Sequence, residues 1–169
     1  IPAADSGHQR MASACGRRIV DMVWEDLTPD RIVTAAAVRN AAIVAMATGC
    51  STNAVVHIIA MARRAGVELT LDDLDELGRT TPLIANVRPS GKDYLMEDFF
   101  YAGGLRALMK QLEERLDTSC LTVNGHSVGE NIAGGRVHNT DVIRTLSDPL
   151  HAEGSLAVLR GNLCPDGAV

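Results

Sequence analysis

Cys50, Ser51, Thr52 and Asn53 stand in a row after a glycine and before an apolar helix, in the stretch ATGCSTNAVVHIIAMARRAG, Ala47 to Gly66. A thiol, two hydroxyls and an amide at a helix mouth have two uses. A Ser or Thr oxygen can cap the helix by accepting a first-turn N–H. Alternatively, the unpaired N–H groups and partial positive charge of the first turn can hold a carboxylate or phosphate. Caps are far commoner than anion sites, so on these residues alone capping leads and binding is the alternative. The helix that follows has apolar residues all round: Val55, Val56, Ile58, Ile59, Met61 and Ala62. That pattern predicts a buried helix. His57 lies inside it and reads first as a hydrogen-bonded core histidine, second as a base or ligand. No HExxH spacing surrounds it, so a zinc hydrolase has no support.

The other candidates each have a plainer reading. Glu97 and Asp98 could serve a metal or act as a base pair, but first-turn acids that stabilise a helix are commoner. Gly103-Gly104 permits a close backbone approach. No GxGxxG or GxxxxGK[ST] nucleotide fingerprint accompanies it. Asp72, Asp73, Asp75 and Glu76 read as a solvated acidic helix face without the glycine and spacing of a calcium loop. Arg88 and Lys92 flank a Pro/Gly turn and could steer an acidic substrate, with plain surface charge as the default. Cys15, Cys50, Cys120 and Cys164 form no CxxC pair, which disfavours a local zinc or iron–sulfur knuckle. They read as free thiols in a reducing, cytoplasmic setting.

Helices must position these residues. Met11, Cys15, Ile19 and Val23 recur every fourth residue in a helix over 6–23. Thr28-Pro29 opens the next turn as cap and first helical residue. An Ala-rich helix over 34–48 stops at Gly49, and a third over about 52–64 stops at Gly66. Arg63 and Arg64 suit its C-terminal dipole. Thr70 caps a short helix, LDDLDELGR. PLIANVRPSG reads as a buried strand entering a turn. Residues 94–116 read as helix, interrupted at Gly103-Gly104. CLTVNG reads as a strand ending in an Asn-Gly turn, Ser127 as the cap of VGENIAG, and SLAVLRGNL as a last strand. The layout is α/β, with the short strands gathered late.

The 169 residues suffice for one domain with a real core. Aromatics make up 3%, so Ala, Val, Leu, Ile and Met must fill that core. The net charge of −5 disfavours nucleic acid and anionic membrane as partners. No apolar run approaches the roughly 20 residues of a membrane span. The abrupt start at Ile1-Pro2 and the apolar finish NLCPDGAV lead us to expect an internal fragment.

Three blocks, GCSTNAVVHIIAMARRAGV, PLIANVRPSGKDYLMEDFFYAGGL and GSLAVLRGNLCPDGAV, together resemble the dihydroxy-acid and sugar-acid dehydratase family, in order along nearly the whole chain. The resemblance implies the helix-rich late part of an N-terminal α/β domain over 1–150. It also implies the truncated start of a C-terminal β-barrel-like domain over 151–169. It implies a hydro-lyase that turns a 2,3-dihydroxy acid, branched-chain precursor or sugar acid, into a 2-oxo acid. An iron–sulfur cluster and Mg would serve the intact enzyme, with none expected in this segment alone. The implied partners are the small acid substrate, the rest of the dehydratase chain and further copies in a homo-oligomer. Cys50 and Cys164 fall where relatives often hold Gly and Ala, so they are not assigned to the cluster. No catalytic residue and no metal ligand is carried over. Gly49, Ser51, Thr52 and Asn53 carry over as substrate-binding residues, which lifts the anion site above the cap. The alternative is a stand-alone, non-catalytic small-carboxylate-binding module or a pseudo-enzyme subunit. An isolated piece is also expected to expose apolar surface and to aggregate or dimerise.

Overall fold

The computed structural model describes residues 1–169. Eight α-helices occur in chain order: α1 (Ser6–Trp24), α2 (Pro29–Ile32), α3 (Ala35–Thr48), α4 (Thr52–Arg64), α5 (Leu71–Thr80), α6 (Met96–Tyr101), α7 (Gly104–Gln111) and α8 (Val128–Ile132). A hairpin of β1 (Leu159–Gly161) and β2 (Cys164–Ala168) ends the chain. No helix is long and apolar enough to cross a membrane.

Local chemistry sets most boundaries. Asp5 caps α1 through the Gly7 N–H. Thr28 and Pro29 take the cap and first positions of α2. Thr34 caps α3 through the Ala37 N–H. Thr70 with Asp73, and Ser127 with Glu130, form reciprocal capping boxes for α5 and α8. Gly49 closes α3 at φ 78°, a conformation that costs a side-chain-bearing residue steric strain. The Gly103-Gly104 break separates α6 from α7, and both glycines have positive φ.

The core forms around α3. Its Ala42, Ile43, Met46 and Ala47 meet Leu74 and Leu77 of α5, Ala107 and Leu108 of α7, Phe99 of α6 and Val142–Ile143. Residues 82–87 cross this core fully extended. They do not form the strand that PLIANVRPSG suggests. Leu83, Ala85 and Val87 make isolated bridges to His151, Ile143 and Tyr94. The Ile84 and Ala85 N–H groups donate to Ala47 O at the end of α3, and Asn86 N donates to Val142 O. With loops and a helix end as neighbours, no ladder can propagate. CLTVNG likewise holds a single bridge, Leu121 to Ser127, around its Asn-Gly turn. The α/β layout read from the sequence thus resolves into a helical body with one two-stranded antiparallel sheet.

Two expectations about burial fail. Only Val55 and Ala62 of α4 are buried; Val56 is 66% and Met61 59% exposed. The helix packs one face on α3 and nothing in the chain covers the other. His57 is exposed accordingly, not a core residue. On α1, Met22 is the sole buried residue, and Met11, Cys15, Ile19 and Val23 all face solvent. Apolar periodicity reports a covered face but cannot say which polypeptide covers it.

The hairpin hangs from α5 by side chains. The Asp75 carboxylate accepts the Val158 N–H at 2.9 Å and Arg79 Nε at 2.8 Å. Asp72 pairs with Arg160. The acidic face read as merely solvated is therefore partly an anchor. The Val158 N–H, then Arg79, hold the Asp75 carboxyl below the usual carboxylate range. A depressed folded pKa gives a contribution present above the unfolded value near pH 3.9 and lost as pH falls through the folded value. Hydrogen exchange at the Val158 amide should therefore show protection at neutral pH that fades in acid. Asp75→Ala should remove it at every pH; unchanged protection in that variant would refute the anchor.

Candidate functional site

The α3–α4 turn is built from two helix ends. The Gly49 and Cys50 N–H groups both turn back to Ala45 O, which satisfies the end of α3. Ser51 then takes the N-cap position of α4 at φ −78°, ψ 161°. Its hydroxyl makes no capping hydrogen bond. Ser51, Thr52 and Asn53 are all exposed. Capping, the commoner use of such residues, is thus not what Ser51 does here. A 13-residue helix opens to solvent with three polar side chains beside its first-turn N–H groups.

The structure brings a second sequence candidate to this mouth. Ser90 Oγ donates to Gly49 O at 3.1 Å. The turn that carries Arg88 and Lys92 therefore lies against the α3–α4 turn. Asn86 shapes it: its Oδ1 accepts the Lys92 N–H, and its Nδ2 donates to Asp93. Arg88 Nε reaches back to Lys92 O at 3.3 Å. Arg88 and Lys92 are both exposed. Arg88 and Lys92 thus sit, together with Asp93, on a turn held against the Gly49 carbonyl that precedes α4. Nothing in the sequence around Ser90 marks it for this role. Its contact spans 41 residues and leaves no local pattern.

The remaining candidates lie elsewhere. His57 lines an apolar groove with Pro29, Ile32 and Met61. Asp98 accepts the Leu95 N–H at the start of α6, so it is a cap. Gly103 does permit a close approach, but of this chain's own backbone. A Cβ there would lie 2.3 Å from Arg136 O.

Within Gly49–Asn53, Cys50 is the one titratable side chain, and burial pushes its thiol up, which keeps it protonated at neutral pH. Cys120 is buried, with the Asn40 amide on its sulfur, while Cys15 and Cys164 are exposed on α1 and β2. No three His, Cys, Asp or Glu side chains converge in a way that could hold a metal ion. The residues of this chain do not by themselves fit an iron–sulfur cluster or a magnesium site.

Residues 1–131 match the family model described as the dihydroxy-acid/6-phosphogluconate dehydratase N-terminal domain. The chain belongs to that family. All of it aligns at 49% identity with a 6-deoxy-6-sulfo-D-gluconate dehydratase of Pseudomonas putida. All of it likewise aligns at 48% with a dihydroxy-acid dehydratase of Desulfosudis oleivorans and with an L-arabinonate dehydratase of Rhizobium leguminosarum. It covers 30%, 31% and 29% of those three proteins. The chain therefore spans about a third of the length of the curated relatives it matches.

Proposed function

We propose that this chain is one part of a hydro-lyase that dehydrates a 2,3-dihydroxy acid or sugar acid to a 2-oxo acid, and that its share of the work is substrate binding. Gly49, Ser51, Thr52 and Asn53 hold the carboxylate end of the substrate at the mouth of α4. One observation carries this reading: three exposed polar side chains stand at the N-terminus of a long helix, and Ser51, at the cap position, leaves the helix uncapped. The substrate carboxylate would supply the acceptor that the Ser51 hydroxyl does not. Gly49 admits the tight turn, and its carbonyl fixes the Arg88–Lys92 turn through Ser90.

The relatives act on sugar acids and on dihydroxy acids according to their names, and the mouth suits either, because both carry the same carboxylate. The iron–sulfur cluster and Mg of the intact enzyme belong, on this reading, to polypeptide outside these residues. Residues 1–150 form part of the N-terminal domain. Residues 151–169 open a second, β-rich domain, a reading supported by the exposed hairpin at the chain's end.

The test uses a full-length dehydratase of the family in which this segment replaces its counterpart. Thr52→Val and Ser51→Ala should each raise KM about tenfold, equivalent to one lost hydrogen bond to a charged group. The melting temperature should stay within about 2 °C, since an exposed, uncapped position contributes little to folding. An unchanged KM with a matching loss of stability and activity would refute the binding role.

A further inference from the structure

The last twenty residues run in reverse along one face of α5. Gly167 lies at its start, where a Cβ would stand 3.2 Å from Leu71 Cδ1. Arg160 pairs with Asp72, the Val158 N–H donates to Asp75, and the Gly154 N–H donates to Gly78 O at 2.6 Å. Positions 71, 75 and 78 are spaced by four and three, as one helix face requires, with 72 at its edge. Beyond the helix the same track continues on Leu83. The Leu150 N–H donates to Leu83 O at 2.9 Å, and the Leu83 N–H donates to His151 O and Glu153 O at 3.1 and 3.2 Å.

Two glycines meet where the segment crosses α5. Neither Gly78 nor Gly154 has a positive φ, so the backbone requires glycine at neither. Space requires it at both. A Cβ on Gly78 would stand 2.9 Å from Leu156 O, and one on Gly154 would stand 3.0 Å from Met46 Cβ and 3.1 Å from Gly78 O. Met46 is 1% exposed in the core and cannot give way cheaply. The far end of the track touches the mouth of α4: Leu83 Cδ1 stands 3.1 Å from the place of a Cβ on Gly49.

We propose that residues 150–158 are a rigid strap that holds the hairpin, and the domain it opens, in fixed register with the mouth of α4. Gly78, Gly154 and Asp75 are its positioning residues. The proposal rests on the reading above that residues 151–169 open a second domain. A dihydroxy acid held by its carboxylate at the mouth then meets the groups of that domain at a separation the strap sets. Alignment of this kind acts on turnover more than on binding.

The test uses the full-length dehydratase carrying this segment. In the unsubstituted enzyme the Gly154 and Val158 amides should exchange slowly. Asp75→Ala should speed their exchange about tenfold or more. It should also lower kcat about tenfold, with KM within about twofold, because the carboxylate end is still bound and only its alignment is lost. Asp75→Asn keeps an oxygen for the Val158 N–H, and Arg79→Ala keeps the carboxylate, so both should hold kcat within about twofold of the unsubstituted enzyme. Gly154→Ala should lower kcat as Asp75→Ala does; Asp75, outside the core, carries the test if Gly154→Ala fails to fold. A strap that served stability alone would lower the melting temperature of Asp75→Ala and leave kcat of the folded enzyme unchanged, and that result would overturn the proposal. Fast exchange at Gly154 and Val158 in the unsubstituted enzyme would overturn it too. Failure of the functional reading looks different. The unsubstituted enzyme would then dehydrate no 2,3-dihydroxy acid, while protection lost in Asp75→Ala and kept in Asp75→Asn would still uphold the strap.

Discussion

Gly49→Ala should destabilise the chain by about 3 kcal/mol, whereas Gly66→Ala should cost about 1 kcal/mol. Both glycines follow a helix and both have left-handed φ, 78° and 72°. The backbone term is therefore shared. Their surroundings differ. A Cβ on Gly66 would meet nothing within 4 Å, but on Gly49 it would lie 2.7 Å from the Ser90 Cβ and 3.1 Å from Leu83 Cδ1. Ser90 cannot yield freely, because its hydroxyl is bonded to the Gly49 carbonyl. Urea unfolding of the two variants, with the midpoint compared at constant slope, measures the difference. Adding Ser90→Gly to Gly49→Ala should recover part of the loss. Equal costs at the two glycines would mean that the Gly49–Ser90 contact is not what fixes the turn at the mouth of α4.

Leu108→Ala should cost a further independent 3 kcal/mol or so, within the range for a fully buried leucine truncated in a packed core. Leu108 is 0% exposed and sits in the main cluster with residues of α3 and α5. Leu105, one turn earlier on α7, is 52% exposed. Leu105→Ala should therefore stay within about 0.5 kcal/mol. For a chain of this length the core variant lowers Tm by about 6–12 °C and the surface variant by at most about 2 °C. Comparable losses would show that α7 does not face the core as described.

What was legible in the sequence was local. Thr70 and Ser127 as caps, Pro29 at a first helical position, and Gly49 and Gly66 as stops all follow from the chemistry of one helix end at a time. Contacts between distant segments were not legible. Ser90 to Gly49 and Val158 to Asp75 span 41 and 83 residues, and neither leaves a periodic trace. The burial of α4 was misjudged for a related reason. Its apolar residues on all sides imply covering surfaces on all sides, and within these 169 residues α3 supplies only one. PLIANV shows in its apolar run that it is buried, but such a run does not reveal whether a neighbouring strand exists, and here only isolated bridges form. The candidate site was half legible. GCSTNA was recognisable as a helix mouth, and Arg88 and Lys92 as a basic turn, but only the fold joins them.

The most direct measurement is a crystal structure of the full-length dehydratase carrying this segment, soaked with a 2,3-dihydroxy acid. Binding at the mouth of α4 requires a carboxylate oxygen about 3 Å from the Thr52 or Asn53 N–H or from the Ser51 or Thr52 hydroxyl. A carboxylate held elsewhere, with the Gly49–Asn53 turn left to water, would contradict the role assigned to these four residues.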